Sequence, residues 1–150
     1  MKIALVTSEI VPYAKTGGLA DVTGALARYL ADAGHDVRVF TPLYDISEID
    51  LESLHPVDYL QEMELASAGD DDPIVWGVST APHGDSDAAI YFVDAPDFYA
   101  RGKIYTEDAD EGIRFALLCR ASLDAMQSMG WAPDILHCND WQSAMLPVYL

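Results

Sequence analysis

Basic residues are scarce in this sequence of 150 residues: eight lysines and arginines stand against 25 aspartates and glutamates, giving a formal net charge of −17. So large a negative surplus opposes binding to the nucleic acid backbone and to anionic membranes. It also repels anionic substrates, so a site for one needs its own basic groups, which gives weight to Lys15, one of only three lysines. The acidic balance suits a high-salt cytoplasm or, as we prefer, an ordinary solubilising surface.

Cysteines and long apolar runs are also few. The two cysteines make neither a disulfide framework nor a zinc site without histidines at ligand spacing, so we interpret both as reduced core residues. No apolar run approaches the roughly 20 residues that span a bilayer, and the N-terminus lacks a signal-type segment. We therefore expect a soluble cytoplasmic protein without a metal and without membrane or nucleic acid partners. A plant source would imply a plastid, but the sequence shows no transit peptide.

The chain is long enough for one domain with a sizeable core, and it begins like a βαβ unit. The continuous apolar run KIALVTS predicts a strand at about 2 to 8, as in a parallel sheet covered on both faces. DVRVFTP predicts a second strand, and Gly34 ends the helix between them. That helix is predicted from Gly18 to Ala33, with a buried face formed by the apolar residues at helical spacing: Leu19, Val22, Leu26, Tyr29, Leu30 and Ala33.

The rest of the chain predicts a sheet with one irregular insertion. VDYLQEMEL fits either a strand or a short helix, and GDDDP at 69 to 73 predicts a turn. IVWGVST and AAIYFVDAP, joined by PHGDSD, predict an antiparallel hairpin. Residues 94 to 110 predict a loop, 111 to 129 a helix, PDILHC a buried strand, and NDWQSAMLPVYL a helix capped by Asn139 or Asp140. The expected fold class is α/β: a Rossmann-like, mostly parallel sheet with helices on both faces and an antiparallel excursion.

The segment KTGG, residues 15 to 18, follows the first strand and opens the first helix. Adjacent glycines let backbone N–H groups approach a ligand, the helix N-terminus adds partial positive charge, and Lys15 adds a full charge. The spacing fits neither a dinucleotide fingerprint nor a Walker loop, so the motif alone is a weak signal. Its position at the carboxyl end of a strand favours an anion site. Asp21, in the first helical turn, serves either the helix dipole or that ligand.

A second polar group, HCNDW at 137 to 141, lies where the last strand gives way to a helix. On residue type alone, His137 is a hydrogen-bonded core histidine rather than a base, and Trp141 belongs to the core. Asp140 either caps the helix or contacts a ligand, and the residues do not decide between the two.

Four segments, in the same order, resemble the amino-terminal part of the bacterial glycogen synthase and plant starch synthase family: MKIALVTSEIVPYAKTGGLADVTGALARYLADAGHDVRVFTPLY, YFVDAP, IRFALLCRASLDAM and PDILHCNDWQSAMLPVYL. The similarity runs nearly end to end and is weakest between about 45 and 88. The combination of KTGGLADV with HCNDW is its most specific part.

The resemblance implies a retaining glucosyltransferase of GT-B architecture, in which two Rossmann-like domains face a cleft. Glucose passes from ADP-glucose to the non-reducing end of an α-1,4-glucan, so ADP-glucose is a substrate and no cofactor is expected. In that family the lysine of KTGGL contacts the donor phosphate. Lys15 would therefore stabilise charge on the departing ADP, with Gly17 and Gly18 lining the same position.

The resemblance also assigns the sugar side of the site. Lys15 and Asp140 are its catalytic candidates, and Asp21 and Asp140 match acidic residues around the glucosyl and acceptor sugars. Further candidates for sugar or acceptor binding are His137, Asn139 and Tyr105. Gln142 stands where a histidine is common in the family, and we expect no catalytic role for it.

Family members run to several hundred residues. The resemblance therefore implies that residues 1–150 are a truncated N-terminal domain, that the C-terminal nucleotide-binding domain is absent, and that the chain alone is inactive. Two alternatives stay open: a non-catalytic glucan-binding or regulatory module of the same fold, and a relative that uses UDP-glucose. The absence of G-x-G-x-x-G argues against the nucleotide-binding domain of an oxidoreductase.

Overall fold

The computed structural model describes residues 1–46, 48–66 and 72–150. The predicted ranges of the two long helices and of the second strand match closely, whereas the first strand is shorter than predicted. The turn predicted at 69 to 73 lies largely outside the described residues. The elements are β1 (Lys2–Val6), α1 (Gly18–Asp32), β2 (Asp36–Pro42), β3 (His55–Pro56), β4 (Met63–Leu65), β5 (Ile74–His83), β6 (Ser86–Asp94), α2 (Pro96–Tyr99), α3 (Glu111–Ser128), β7 (Ile135–Cys138) and α4 (Leu146–Tyr149).

One sheet has the strand order β3-β5-β6-β2-β1-β7, with β4 also paired to β5. The strands β6, β2, β1 and β7 run parallel to one another, whereas β5 runs antiparallel to β6, β3 and β4. The first strand is an interior strand next to the edge strand β7, and Val6 pairs with Phe40 of β2 on one side and with Cys138 of β7 on the other. The predicted mostly parallel α/β sheet with an antiparallel excursion is confirmed.

Adjacent residues of β6 show what covers each face of the sheet. On one face, the ring of Tyr91 of β6 lies under the guanidinium of Arg38. The same guanidinium lies over the ring of Trp131, which follows α3. On the other face, the ring of Phe92, the next residue of β6, packs edge-on against the ring of Tyr13. Tyr13 lies in the loop that precedes α1. Successive side chains of a strand point to opposite faces, so α3 covers one face and α1 with its preceding loop covers the other.

The buried face of α1 is not the one that its large apolar residues predict. Val22 and Tyr29 are 62% and 72% exposed, so this part of the prediction is wrong. The buried residues are small or short: Ala20, Thr23, Gly24, Ala27 and Ala31. Small side chains let the helix approach the sheet and the preceding loop closely, and this approach selects the face more strongly than side-chain hydrophobicity does.

The middle of the chain contains both alternatives that the sequence left open. A turn of 3₁₀ helix at Asp58–Leu60 is followed by β4. The hairpin of β5 and β6 is confirmed, and its strands extend further than predicted, so that only Gly84 and Asp85 connect them. Gly84 has a φ of +57°, the left-handed conformation that tight hairpin turns require. The predicted loop at 94 to 110 contains the short helix α2.

The single helix predicted from Asn139 or Asp140 onward is wrong. After β7 the chain forms a turn of 3₁₀ helix at Trp141–Ser143 and then the separate helix α4. Pro147 lies in the first turn of α4, where its missing N–H removes no helical hydrogen bond. The proline therefore belongs to a new helix start rather than to the interior of a longer helix.

Gly24→Ala should destabilise the chain, although alanine is the better helix former. A Cβ built at Gly24 lies 2.4 Å from Cγ2 of Val11, which is β-branched and whose carbonyl is 3.0 Å from His83 Nε2, so it has little freedom to withdraw. We expect the free energy of unfolding in urea to fall by about 1–3 kcal/mol. Gly112→Ala in the first turn of α3 is the control, because its Cβ meets nothing within 4 Å. Equal effects at the two positions would contradict this close packing.

Candidate functional site

The KTGG and HCNDW segments meet at the carboxyl ends of β1 and β7. From β1 the chain proceeds to β2 on one side, and after α3 it returns to β7 on the other side. Such a reversal of strand order opens a crevice at the carboxyl edge of a parallel sheet, where α/β proteins bind ligands. Asn139 fastens the two strand ends together, because its backbone N–H and its side-chain amide each donate to the carbonyl of Val6 at 3.1 Å.

Glu9 links the end of β1 to the glycine pair and to Tyr105. It is only 2% exposed, and its carboxylate accepts the N–H and the hydroxyl of Thr16 at 2.6 and 2.9 Å. It also accepts the N–H of Gly17 at 3.1 Å and the hydroxyl of Tyr105 at 2.6 Å. Burial alone would raise the pKa of Glu9, but these hydrogen bonds together outweigh burial and lower it. Glu9 is thus an enclosed, ionised carboxylate at the edge of the crevice.

Lys15 and Asp21 form a bidentate ion pair. Lys15 Nζ donates to the two carboxylate oxygens of Asp21 at 2.7 and 2.8 Å. The side chains are 50% and 57% exposed, so solvent screens the pair and its contribution to stability is small. The structure therefore brings Lys15 together with Asp21, whose role the residues alone left open, and makes Asp21 the counter-ion of Lys15 in the first turn of α1.

Gly17 and Gly18 leave open space beside this pair. A Cβ added at either glycine would meet no atom within 4 Å, and Gly17 has an extended φ of −147°, so neither packing nor a left-handed backbone accounts for glycine at Gly17. The Gly17 N–H is already donated to Glu9, and it can serve an anion only by leaving that carboxylate. The glycines thus provide room for a ligand, with fewer free backbone donors than the motif predicts.

Tyr105 lines the same depression as the glycines, and its hydroxyl ties it to the segment that follows β1. The hydroxyl donates to Glu9 Oε1 and lies 2.8 Å from Ser8 Oγ. Burial raises the pKa of Tyr105, and donation to Glu9 raises it further. The phenol therefore stays protonated, with its proton directed at Glu9.

A buried arginine supports the loop that carries Tyr105. Arg114 of α3 is fully buried and donates to the carbonyls of Phe98 and Ile104 at 2.7 and 3.2 Å. Its charge is paired with Glu111 at 2.6 Å, and Glu111 in turn accepts the hydroxyl of Thr106 at 2.6 Å. The backbone on both sides of Tyr105 is thereby fixed to α3.

Asp140 and Trp141 form the β7 side of the crevice. Asp140 has a φ of +64° and a ψ of −176°, a conformation that residues other than glycine seldom adopt, and its Oδ1 accepts the N–H of Trp141 at 2.7 Å. Of the two roles that the sequence left open for Asp140, the structure shows capping, and the capped element is a 3₁₀ turn. Trp141 is 53% exposed, so its prediction as a core residue is wrong. Phe115 contacts its ring edge-on at 5.2 Å and covers only part of it.

His137 and Asn139 belong to the sheet rather than to the crevice. His137 is half-buried in β7 and pairs with Leu5 of β1. The side-chain amide of Asn139 donates to the carbonyls of Val6 and His137 at 3.1 and 3.3 Å. Both residues thus precede Asp140 in the chain, and the side-chain amide of Asn139 donates both of its hydrogen bonds to backbone carbonyls.

Two adjoining depressions gather most of the predicted site residues. The first, of about 480 Å³, is lined among others by Glu9, Gly17, Gly18, Tyr105, Asp140 and Trp141. The second, of about 390 Å³, includes Lys15, Lys103, Asp45 and Glu48. A larger hollow of about 810 Å³ between α3 and β7 contains none of the predicted site residues.

Glu9 and Trp141 are the site residues that the sequence reasoning missed. For Glu9 a signal existed, because a carboxylate at the end of a continuous apolar strand is buried only if it finds hydrogen-bond partners. For Trp141 the apolar surroundings in the sequence favour burial, and only the three-dimensional position of Phe115 shows otherwise.

Within residues 1–46, 48–66 and 72–150, no group of three or more histidine, cysteine, aspartate or glutamate side chains is arranged to hold a metal ion. The helices of this part of the chain also lack the combination of length and hydrophobicity that crossing a membrane requires.

Asp140→Ala should lower the free energy of unfolding by about 1–2 kcal/mol, measured in urea. Alanine loses the hydrogen bond from the Trp141 N–H, whereas the strained backbone at a φ of +64° and a ψ of −176° is common to both residues. Asp140→Asn should stay close to the parent chain, because the side-chain oxygen of asparagine can accept the same bond. If the alanine variant were as stable as the asparagine variant, Asp140 would not have the capping role described here.

Glu9 should make the stability of the chain depend on acidic pH. Its pKa is lower in the folded chain than its ordinary value of 4.5, so the ionised form stabilises the fold above that value. The contribution is lost as the pH falls through the lowered pKa. We expect the urea midpoint of the parent to drop more steeply between about pH 5 and pH 3 than that of Glu9→Gln, which does not titrate. Parallel pH profiles would show that the pKa of Glu9 is not lowered.

Known proteins were found to match the chain along its length. A family model described as "Starch synthase catalytic domain" matches residues 2–150. Glycogen synthase 1 of Geobacter sulfurreducens is 39% identical over 154 residues, and the glycogen synthase of Desulforudis audaxviator is 40% identical over 160 residues. Each match covers 100% of this chain and 30% of the relative.

A solved structure agrees with these relatives. The catalytic domain of starch synthase IV from Arabidopsis thaliana, bound to ADP and acarbose, aligns with 99% of this chain at a TM-score of 0.83 and 30% sequence identity. The alignment covers 30% of that chain, and it confirms the predicted relation to the GT-B fold. With a family model matching residues 2–150 and a superposition of this quality, the chain belongs to the starch synthase catalytic domain family.

Proposed function

We propose that this chain forms the N-terminal Rossmann-like part of a retaining glucosyltransferase that extends α-1,4-glucan with glucose from ADP-glucose. The observation that carries the proposal is the meeting of the KTGG and HCNDW segments at one crevice, with Lys15, open glycines and Asp140 around it. Family membership supports glycosyl transfer as the reaction. The ADP bound to the related starch synthase supports an adenine nucleotide donor. ADP-glucose is a substrate, and the reaction uses no cofactor.

On the donor side, Lys15 exchanges Asp21 for a donor phosphate and neutralises the charge that develops on the departing ADP. Stabilising charge at a leaving group is commonly among the largest contributions to catalysis. The open surface over Gly17 and Gly18 lets the phosphates approach the N-terminus of α1 beside Lys15. Asp21, once released, accepts hydrogen bonds from sugar hydroxyls.

On the acceptor side, Asp140 and the aromatic rings contact the glucan. Asp140 has one oxygen committed to the Trp141 N–H, and its exposed carboxylate accepts sugar hydroxyls. The uncovered part of the Trp141 ring offers apolar surface to a pyranose beside it. His137 and Asn139 contribute by holding the strand end from which Asp140 projects.

The charge balance of the site explains why we expect residues 1–150 alone not to turn over. Five carboxylates and two lysines line the two depressions: Glu9, Asp45, Glu48, Glu111 and Asp140 against Lys15 and Lys103. Of the five, Glu111 is paired with the buried Arg114, and the carboxylates remain in excess. A diphosphate in this crevice meets a surplus of negative charge. We therefore propose that further cations come from a C-terminal nucleotide-binding domain across the cleft, the partner implied by the GT-B architecture.

ADP should bind the isolated chain weakly and at the predicted place. In an NMR titration of the ¹⁵N-labelled chain, we expect shifts at Lys15, Gly17 and Gly18, and Lys15→Ala should weaken binding by about tenfold through the lost charge-assisted contact. Lys2→Ala is the matched control, because Lys2 lies at the opposite end of β1. Equal losses in the two variants, or no shift at the glycines, would overturn the donor site.

Transfer of radiolabelled glucose from ADP-glucose to glycogen should be undetectable with the chain alone. Turnover comparable with full-length glycogen synthases would overturn the proposal of an incomplete donor site.

The NMR titration described for ADP, repeated with maltoheptaose and with UDP, separates the alternatives. Maltoheptaose binding without any response to ADP would identify a glucan-binding module, and UDP binding tighter than ADP would favour a UDP-glucose donor.

A further inference from the structure

Two loops that the proposed reaction uses meet on one carboxylate. Glu9 Oε2 accepts the N–H groups of Thr16 and Gly17, which lie between Lys15 and α1. Glu9 Oε1 accepts the hydroxyls of Thr16 and Tyr105, and Tyr105 lies 96 residues further along the chain. A single side chain thus sets the distance between the donor-side loop and the acceptor-side tyrosine.

We propose that Glu9 is a positioning residue of this site. It fixes Thr16 and Gly17 relative to Tyr105, and what matters for this role is where its two side-chain oxygens lie rather than their charge. The consequences for ligand binding rest on the proposed function. The consequences for loop geometry do not, so the two can fail separately.

The main chain of Glu9 is fixed to the end of β1, which makes it a suitable reference point. The Thr7 hydroxyl donates to the Glu9 carbonyl at 2.9 Å and accepts the Glu9 N–H at 3.3 Å. The Thr7 N–H donates to the carbonyl of Phe40 in β2, so Thr7 itself continues the sheet. Both loops are therefore positioned relative to the interior strand β1, and a side chain locked on a rigid element positions a site more accurately than loop contacts do.

The same geometry changes the role of Tyr105. Its hydroxyl is engaged by Glu9 Oε1 at 2.6 Å and by Ser8 Oγ at 2.8 Å. The hydroxyl proton is committed to Glu9, and the surface left for a ligand is chiefly the ring. Tyr105 then contributes its aromatic ring to the lining of the crevice, and Glu9 fixes the position of that ring. The hydroxyl of Tyr105 is not a hydrogen-bond donor to sugar.

The nature of the four donors distinguishes oxygen placement from charge. Two of them are backbone N–H groups, which require an acceptor, and both approach Oε2. The other two are hydroxyls, which can accept as well as donate, and both approach Oε1. A glutamine can therefore place its carbonyl on the N–H pair and its NH₂ on the hydroxyl pair, which preserves all four contacts without the charge.

Amide hydrogen exchange on the 150-residue chain tests the positioning directly. In Glu9→Ala, exchange at Thr16 and Gly17 should accelerate at least tenfold while exchange at Leu5 in β1 is unchanged; in Glu9→Gln, all three should stay within about threefold of the parent. Glu64→Ala, which removes an exposed carboxylate from β4, is the control and should change none of them. If Glu9→Gln accelerated exchange at Thr16 and Gly17 as much as Glu9→Ala does, the proposal would be overturned, because the charge of Glu9 would then position the loop.

Tyr105→Phe tests the link from the other end and remains informative if Glu9→Ala does not fold. It keeps the ring and removes one of the four contacts, so exchange at Gly17 should accelerate although residue 105 does not contact Gly17 directly. In the Glu9→Ala background the same change should have no effect on Gly17. Independent, additive effects would overturn the coupling through Glu9.

Ligand titrations separate this proposal from the proposed function. Glu9→Ala should weaken both ADP and maltoheptaose by about tenfold or more, and Glu9→Gln should restore both to within about threefold. If the parent chain binds neither ligand, the proposed function fails while the exchange results still decide the role of Glu9. If Glu9→Ala alters exchange but leaves both affinities unchanged, the positioning has no part in binding and the proposal fails.

Discussion

The pairing of β1 with β7 is the interaction on which the site depends. Parallel neighbours end at the same edge of a sheet, so the register of Val6 with Cys138 places the loop after residue 6 beside the loop after residue 138. These segments are far apart in sequence, and Asn139 secures them with two further hydrogen bonds to the Val6 carbonyl. Because β2 lies on the other side of β1, the two loops diverge and leave a crevice between them.

Around that crevice, loops are fixed by buried charges more than by apolar packing. Enclosing a charged side chain costs several kcal/mol unless its hydrogen-bonding capacity is met. Arg114 meets this condition with two backbone carbonyls and Glu111, and Glu9 meets it with two N–H groups and two hydroxyls. Hydrogen bonds are directional, so each such group admits few arrangements of the loop around it. The irregular segments around the crevice are thereby held in few conformations.

The sequence predicts the elements better than it predicts which residues they bury. Gly34 and the helical period give the ends of α1, and the continuous apolar run gives β1, because both signals are local. The buried face of α1 is selected by the fit of Gly24 against Val11, and the exposure of Trp141 follows from where Phe115 lies; both are properties of packing between distant segments. Motifs in the sequence single out Lys15, Asp21 and Asp140 as candidates, whereas the pairing of Lys15 with Asp21 is visible only in three dimensions.

That ion pair sets up a competition among anions. An anion that approaches Lys15 must replace a carboxylate already bound through both oxygens. A singly charged anion exchanges one such partner for another and gains almost nothing. A diphosphate brings more charge and also reaches the start of α1, and since an exposed pair is worth about 0–1 kcal/mol, the exchange lowers its affinity by about fivefold at most. Asp21 is in effect a weak resident competitor, which lowers the affinity of Lys15 for every anion by the same small factor.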